Sequence, residues 1–189
     1  MGGMVGIFSA FGLSASAGLN AYLPLLVVAV CARLGVFELN KPFDVMSSWW
    51  VIGVLVVLSL IEFFVDKVPA ADTVNDIINT AIRPAAGAIL FAASANILTE
   101  MSPVISIILG ILVAGSVHTV KAVSRPVLTA TTAGTANPVV STVEDGVSLV
   151  TSLIAVLLPW LIILVAVIGI VLFLAWRLRR IERRETARG

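Results

Sequence analysis

The chain has 189 residues, of which 59% are hydrophobic and 12% charged, and its net charge is +1. With a mean hydropathy of +1.10 it is too apolar and too poor in charge to be a soluble domain of this length, so most of it must sit in lipid. A single cysteine, Cys31, excludes an internal disulfide, and together with the single His118 it excludes a Cys/His zinc site and a cysteine–histidine catalytic pair.

Residues 1–18 are apolar and rich in small residues but carry no basic run, so they belong to the first span rather than to a cleaved signal. Apolar segments follow at about Gly18–Ala32, Trp49–Ile61, Pro84–Leu98, Pro103–Val117 and Leu153–Trp176. Gly18, Asn20 and Pro24 can interrupt the first of these, and an unwound stretch is tolerated in a membrane only where it faces protein or a water-filled cavity. An ordinary proline kink is the simpler alternative. The three middle segments are short. Pro84–Leu98, at fifteen residues, covers about 22 Å at ~1.5 Å per residue, against a hydrocarbon core of ~30 Å. These helices must therefore recruit polar neighbours: Glu62 and Asp66 after the second segment, Asn79 and Arg83 before the third, His118 and Lys121 after the fourth. Trp49, Trp50 and Trp176 stand at span ends, where aromatic side chains anchor at the interface.

Six of the twelve Lys and Arg residues lie in the last thirteen positions, 177–189. That tail reads as a cytoplasmic anchor rather than a nucleic-acid patch. Alternation of five spans then puts the N-terminus outside and the polar helix ends, with the Thr129–Thr135 loop, in the outer half of the bilayer. The expected organisation is one transmembrane helical domain over 1–176, with repeat units at about 47–100 and 103–176, and a basic tail over 177–189. The fold class is all-α: an integral membrane bundle of about five helices.

The repeat rests on two octapeptides, PAADTVND at Pro69–Asp76 and PVVSTVED at Pro138–Asp145. Proline suits a first helical turn, where its missing N–H has no partner anyway, and Asn137 is a candidate N-cap. Helical spacing then aligns Asp72, Asn75, Asp76, Asn79 and Arg83 on one stripe and Ser141, Glu144, Asp145, Ser148 and Ser152 on the other. Upstream of the first copy stand Glu62 and Asp66 at i,i+4, and upstream of the second Lys121 and Arg125 at the same spacing. Opposite charges at matching helix ends predict direct pairing in a parallel, pseudo-twofold repeat, because an unpaired charge in the bilayer is costly.

The blocks AGLNAYLPLL (Ala17–Leu26), EFFVDKVPAADTVNDIINTAIRPAAGA (Glu62–Ala88) and ANPVVSTVEDG (Ala136–Gly146) resemble domain-of-unknown-function family four-one-two-six, small bacterial membrane proteins. The resemblance implies an architecture and a membrane address, with no activity attached.

The candidate ligand-binding residues are Asn20, Glu62, Asp66, Asp72, Asn75, Asp76, Arg83, Lys121, Arg125, Ser141, Glu144 and Asp145. Carboxylate, amide and hydroxyl oxygens are the donors that hard cations prefer. Mutual ion pairing that ties the helices together is the competing account. The basic residues could instead take an anionic head group, and His118 could be a satisfied interior group or a proton relay. Asp76 and Asp145, equivalent in the repeat, are expected to face one shared cavity. Intramembrane ionisable residues point to binding or transport of a small ion or polar solute. The alternative is an accessory subunit or assembly factor of a larger membrane complex, or a homo-oligomer. No nucleophile and base pair, metal motif or phosphate loop is visible, so neither an enzyme nor a cofactor is expected.

Overall fold

Serine, proline and glycine punctuate the chain into helices. The computed structural model describes residues 2–66, 69–95 and 101–186, apart from the side chains of 2–5, 69–74, 76, 95, 166 and 178–186. The elements are α1 (Gly2–Leu19), α2 (Tyr22–Arg33), α3 (Trp49–Val65), α4 (Pro69–Ala95), α5 (Pro103–Thr132), α6 (Asn137–Leu157) and α7 (Trp160–Thr186), with a 3-10 turn at Phe43–Ser47. Ser48 caps α3 by accepting from the Val51 amide. Prolines open α4, α5 and α6 within their first two residues. The α5–α6 turn uses left-handed backbone at Ala133 (φ 50°) and Gly134 (φ 79°). Asn137 is not an N-cap: it is already helical, and its side-chain amide donates instead to Thr129 Oγ1 at 2.9 Å.

Among the described residues four helical stretches are long and apolar enough to cross a membrane: Ile77–Ser94, Pro103–Thr132, Asn137–Leu157 and Trp160–Arg177. The expected middle segments prove to be the apolar halves of longer helices. α4 and α5, at 27 and 30 residues, continue through the recruited polar residues. Two expected boundaries fail. The segment drawn over Leu153–Trp176 is split at Leu158–Pro159, where Leu158 leaves helical backbone (φ −138°, ψ 58°) and Pro159 has no N–H to continue the ladder. The first segment is split at Asn20–Ala21, separating α1 from α2.

Contacts fix the directions of the helices. Along α1, Ser9 meets Ala155, Ser16 meets Ser148 and Ser152, and Asn20 meets Asp145, so α6 runs antiparallel to α1. Ser14 donates to the Gly87 carbonyl and Phe11 packs edge-on against Phe91, so α4 is antiparallel to α1 as well. Lys121 of α5 reaches the carbonyl of Leu19, at the far end of α1. On α3, Glu62 bonds Asn79 and Arg83 while Asp66 bonds Asn75, which makes α3 antiparallel to α4 and therefore parallel to α1. The end of α2 lies at the start of α3, with Arg33 5.0 Å above the Trp49 ring. α2 therefore runs opposite to α3 and to α1, and the chain reverses at Asn20–Ala21.

Small residues hold the helices close along α1, α4 and α5. α5 buries Ser106, Gly110 and Ala114 on the same face that further along carries His118, Lys121 and Arg125. Gly87 and Gly110 meet across the α4–α5 contact: a Cβ on either would collide with the backbone of the other helix, and one on Gly87 also with the Ala114 methyl. Gly18 meets Ala114 and Val117 in the same way. Close backbone approach through small residues is how helices associate in lipid, where burial of apolar surface gives no drive. Serine hydroxyls add cross-helix bonds, Ser16 with Ser148 and Ser152 on α6 among them. The outside of the described helices is largely apolar, including Leu60, Ile61, Val120, Val123, Val139 and Val143 around the polar level. A charged interior inside an apolar exterior marks a membrane protein.

Gly110→Val should overpack this contact and destabilise the protein by about 1–3 kcal/mol, read as a lowered melting temperature in detergent. Gly53→Ala, at a helix position with open space around it, should be neutral or stabilising by up to about 1 kcal/mol. Equal responses at the two positions would contradict the packing described.

Candidate functional site

The end of α3, the first half of α4, the second half of α5 and the first half of α6 meet the α1–α2 reversal at one level. There the helices exchange small residues for charged ones. Glu62 and Asp66 continue the buried stripe of α3 after Ile52, Leu55 and Ser59, and Ser141, Asp145, Ser148 and Ser152 form that of α6. Glu62, Asp66, Asn20, Arg83 and Ser141 are each no more than 1% exposed.

Two linked groups form. In the first, Arg83 stands between Glu62 and His118: Nη2 donates to Glu62 Oε1 at 3.0 Å, and Nη1 lies 2.9 Å from His118 Nδ1. Guanidinium nitrogens only donate, so Nδ1 must accept and the imidazole proton resides on Nε2, 3.2 Å from Thr80 Oγ1. Asn79 adds a bond from Nδ2 to Glu62 Oε1 at 3.2 Å. In the second group, Lys121 and Arg125 share Glu144 at 2.9 and 2.7 Å and approach Asp66 at 3.7 and 3.9 Å. Asn75 donates to Asp66 Oδ1 at 2.6 Å, and Ser141 reaches Asp66 Oδ2 at 3.5 Å.

Asn20 connects both helix termini at the reversal to this level. Its Oδ1 accepts from the amides of Tyr22 and Leu23, two of the first free donors of α2, and its Nδ2 donates to Asp145 Oδ1 at 2.9 Å. The positive end of α2 is thus directed, through one amide, at a buried carboxylate. Lys121 accordingly meets the negative end of α1 at the Leu19 carbonyl, 3.1 Å away.

The structure brings together Asn20, Glu62, Asp66, Asn75, Arg83, Lys121, Arg125, Ser141, Glu144 and Asp145. The side chains of Asp72 and Asp76 lie outside the described residues, and with them the expected shared cavity of Asp76 and Asp145. The expected pairing of Asp66 with Lys121 and Arg125 is present as contacts. Asn79 and His118 belong to the site although the candidate set omitted them; their place on the α4 stripe and after the fourth apolar segment was the available signal. Among the described residues no group of three or more His, Cys, Asp or Glu side chains is arranged to hold a metal ion.

A groove of about 790 Å³ opens beside the second group, between α5 and α6. Val120, Val123, Val127 and Val140 line its outer part, with Arg125 and Glu144 reached from it. The cluster therefore has a lateral face bordered by apolar side chains.

Breaking one member of such a network leaves its partners buried and uncompensated, at a cost of about 3–5 kcal/mol. Asp66→Lys should destabilise strongly, by adding a third cation beside Lys121 and Arg125, and Asp66→Lys with Lys121→Asp should recover much of the loss. Melting temperatures of the single and double variants in detergent give the coupling, and simple additivity would show that these charges do not interact.

A sequence profile described as Domain of unknown function (DUF4126) matches residues 7–180. No curated protein matches the chain, and no solved structure does.

Proposed function

This chain belongs to the DUF4126 family, and we propose that it is a non-enzymatic multi-pass membrane protein that binds a small ion or polar solute at the buried cluster and carries it across the bilayer. The helix break at Asn20 carries this reading. Tying helices together requires only side chains on intact helices. A break that points a helix N-terminus and an amide at a buried carboxylate is the feature by which membrane carriers form ligand sites. The valine-lined groove beside Arg125 and Glu144 gives such a ligand a lateral approach.

The parallel repeat supports the same reading. Asn75 and Glu144 hold the same motif position after their prolines, and each bonds a charged residue of the preceding helix, Asp66 at the end of α3 in one unit and Arg125 of α5 in the other. Asp66 and Arg125 in turn approach across the units. Two equivalent halves around one site is the common plan of secondary carriers.

For orientation, the Arg-rich tail favours the cytoplasm, and the bacterial plasma membrane is the proposed address. The count of spans changes with the reversal at Asn20. If α1 and α2 form a re-entrant pair from the outside, then α3 to α7 make the five crossings, with the N-terminus outside and the tail inside. The cluster then falls in the inner half of the bilayer rather than the outer half, on the side of the six tail arginines, and Arg33 and Lys41 remain as the outer basic residues.

The reading is tested by reconstitution into liposomes with internal dyes for protons and monovalent cations. Flux is expected for the wild type, with a loss of at least about tenfold for Asp145→Asn, which is more than 1.4 kcal/mol at the rate-limiting step, and with little change in melting temperature. Unchanged flux, or a collapse of stability before any change in flux, would assign the cluster to structure. The accessory-subunit reading is favoured by one observation: none of the described residues of Trp160–Arg177 is buried, which leaves a whole apolar helix open to lipid or to a partner. A partner that co-purifies at fixed stoichiometry, with no flux from the isolated protein, would select it.

A further inference from the structure

Glu62 and Asn79 are each 1% exposed and joined by the bond from Asn79 Nδ2 to Glu62 Oε1. Their other oxygens, Glu62 Oε2 and Asn79 Oδ1, have no hydrogen-bond partner, and neither has Ser59 Oγ one turn earlier on α3. An ionised carboxylate and an amide oxygen are acceptors only. Exchanging the amide atoms of Asn79 would not help, since Glu62 Oε1 would then face an oxygen. What the pair lacks is therefore a positive charge or a donated proton.

Among the described residues the cluster holds four carboxylates, Glu62, Asp66, Glu144 and Asp145, against three fixed cations, Arg83, Lys121 and Arg125. His118 adds none while it accepts from Arg83. Among the described residues Glu62 is approached by Arg83 from α4, Lys121 from α5, Asp66 from α3 itself and the Tyr22 hydroxyl from α2, with His118 of α5 bonded to Arg83.

We propose that Glu62 and Asn79 form a proton-binding site, in which a proton taken up on Glu62 Oε2 is donated to Asn79 Oδ1 while Glu62 Oε1 continues to accept from Asn79 Nδ2 and Arg83. The proton comes from hydronium in the aqueous phase, which leaves as water; one O–H bond forms, one breaks, and no electron moves. Acid and amide then close a ring of two complementary hydrogen bonds, and both orphaned oxygens are satisfied together. A hard metal cation fits less well, because such ions gather about six or more oxygens, and among the described residues three are without a partner here. The inference deepens the carrier reading by naming the ion, but it concerns equilibrium binding and can be separated from transport.

The test is infrared spectroscopy of the full chain in lipid vesicles across about pH 5 to 8, where an ordinary glutamate is ionised, with the glutamate carboxyls carbon-13 labelled. A protonated-carboxyl C=O band that shifts on labelling is expected at neutral pH. Glu62→Gln should remove it, Glu38→Gln, at an exposed position between α2 and α3, should leave it, and Asn79→Leu should move it to higher frequency by deleting its hydrogen bond. The wild-type labelling decides the matter even if Glu62→Gln does not fold. Absence of a label-sensitive band at neutral pH, or its survival in Glu62→Gln, overturns the proposal. So does its abolition by sodium but not by choline at fixed pH, which would assign the pair to sodium. A band without liposome flux would leave the proton site standing and remove the carrier reading; flux without the band would do the reverse.

Discussion

A charge withdrawn from water must find its counter-charge and hydrogen bonds within a few ångströms, and this requirement organises the chain. Among the described residues Glu62, Asp66, Glu144 and Asp145 meet Arg83, Lys121 and Arg125 at one level of the bundle, within an exterior that is largely apolar at the same level. None could be buried there singly, since the cost of an uncompensated charge in a low dielectric exceeds what one helix contact returns. Glu62 has Arg83, Asp66 has Lys121 and Arg125, and Glu144 completes the second group. The helices are held at the angles and depths at which these pairs close. Away from this level the demand is the opposite: Gly87 and Gly110 bring backbones into contact and leave no room for side chains. α4 and α5 are thus each divided into a half that packs by smallness and a half that packs by charge.

That division explains why the chain breaks at Asn20. A continuous first helix would pass the charged level presenting only side chains. Reversal there turns a negative helix end toward Lys121 and a positive one toward Asp145, each satisfied by a partner. A helix end left unsatisfied in lipid would be prohibitive; here the unpaired backbone groups become part of the polar network. The same break determines the sidedness of everything that follows, because it sets whether the first two helices cross the bilayer or return to the side they came from.

Much of this was legible in the sequence. Polar residues at helical spacing announced the inward positions of Asn79 and Arg83 on α4 and the inward face of α6, and the i,i+4 pairs Glu62/Asp66 and Lys121/Arg125 announced complementary charges, although the second pair lies within α5 rather than at its end. The PAADTVND and PVVSTVED blocks marked two helix starts through their prolines. Hydropathy could not show that α1 and α2 reverse: a kink and a turn-back share Asn20 and Pro24, and only contacts made by Ser16, Asn20 and Arg33 with distant helices separate them. The break at Leu158–Pro159 was hidden for a related reason, since the apolar run passes through it without interruption. His118 was hard to assign because its role is set by a guanidinium arriving from another helix. Asn137 looked like a cap by residue type, but its amide found Thr129 across the turn.

The most direct test of the account is the sidedness of the ends of the N-terminal helix pair. Single cysteines at Gly3, Leu34 and Thr186, in a Cys31→Ala background, can be probed in sealed vesicles of known orientation with a membrane-impermeant thiol reagent. The account predicts that cysteines at positions 3 and 34 react from the same side and that at position 186 from the opposite one. Reaction of positions 3 and 34 from opposite sides would show that the first helices cross the membrane, and would remove the re-entrant break from which the site is built.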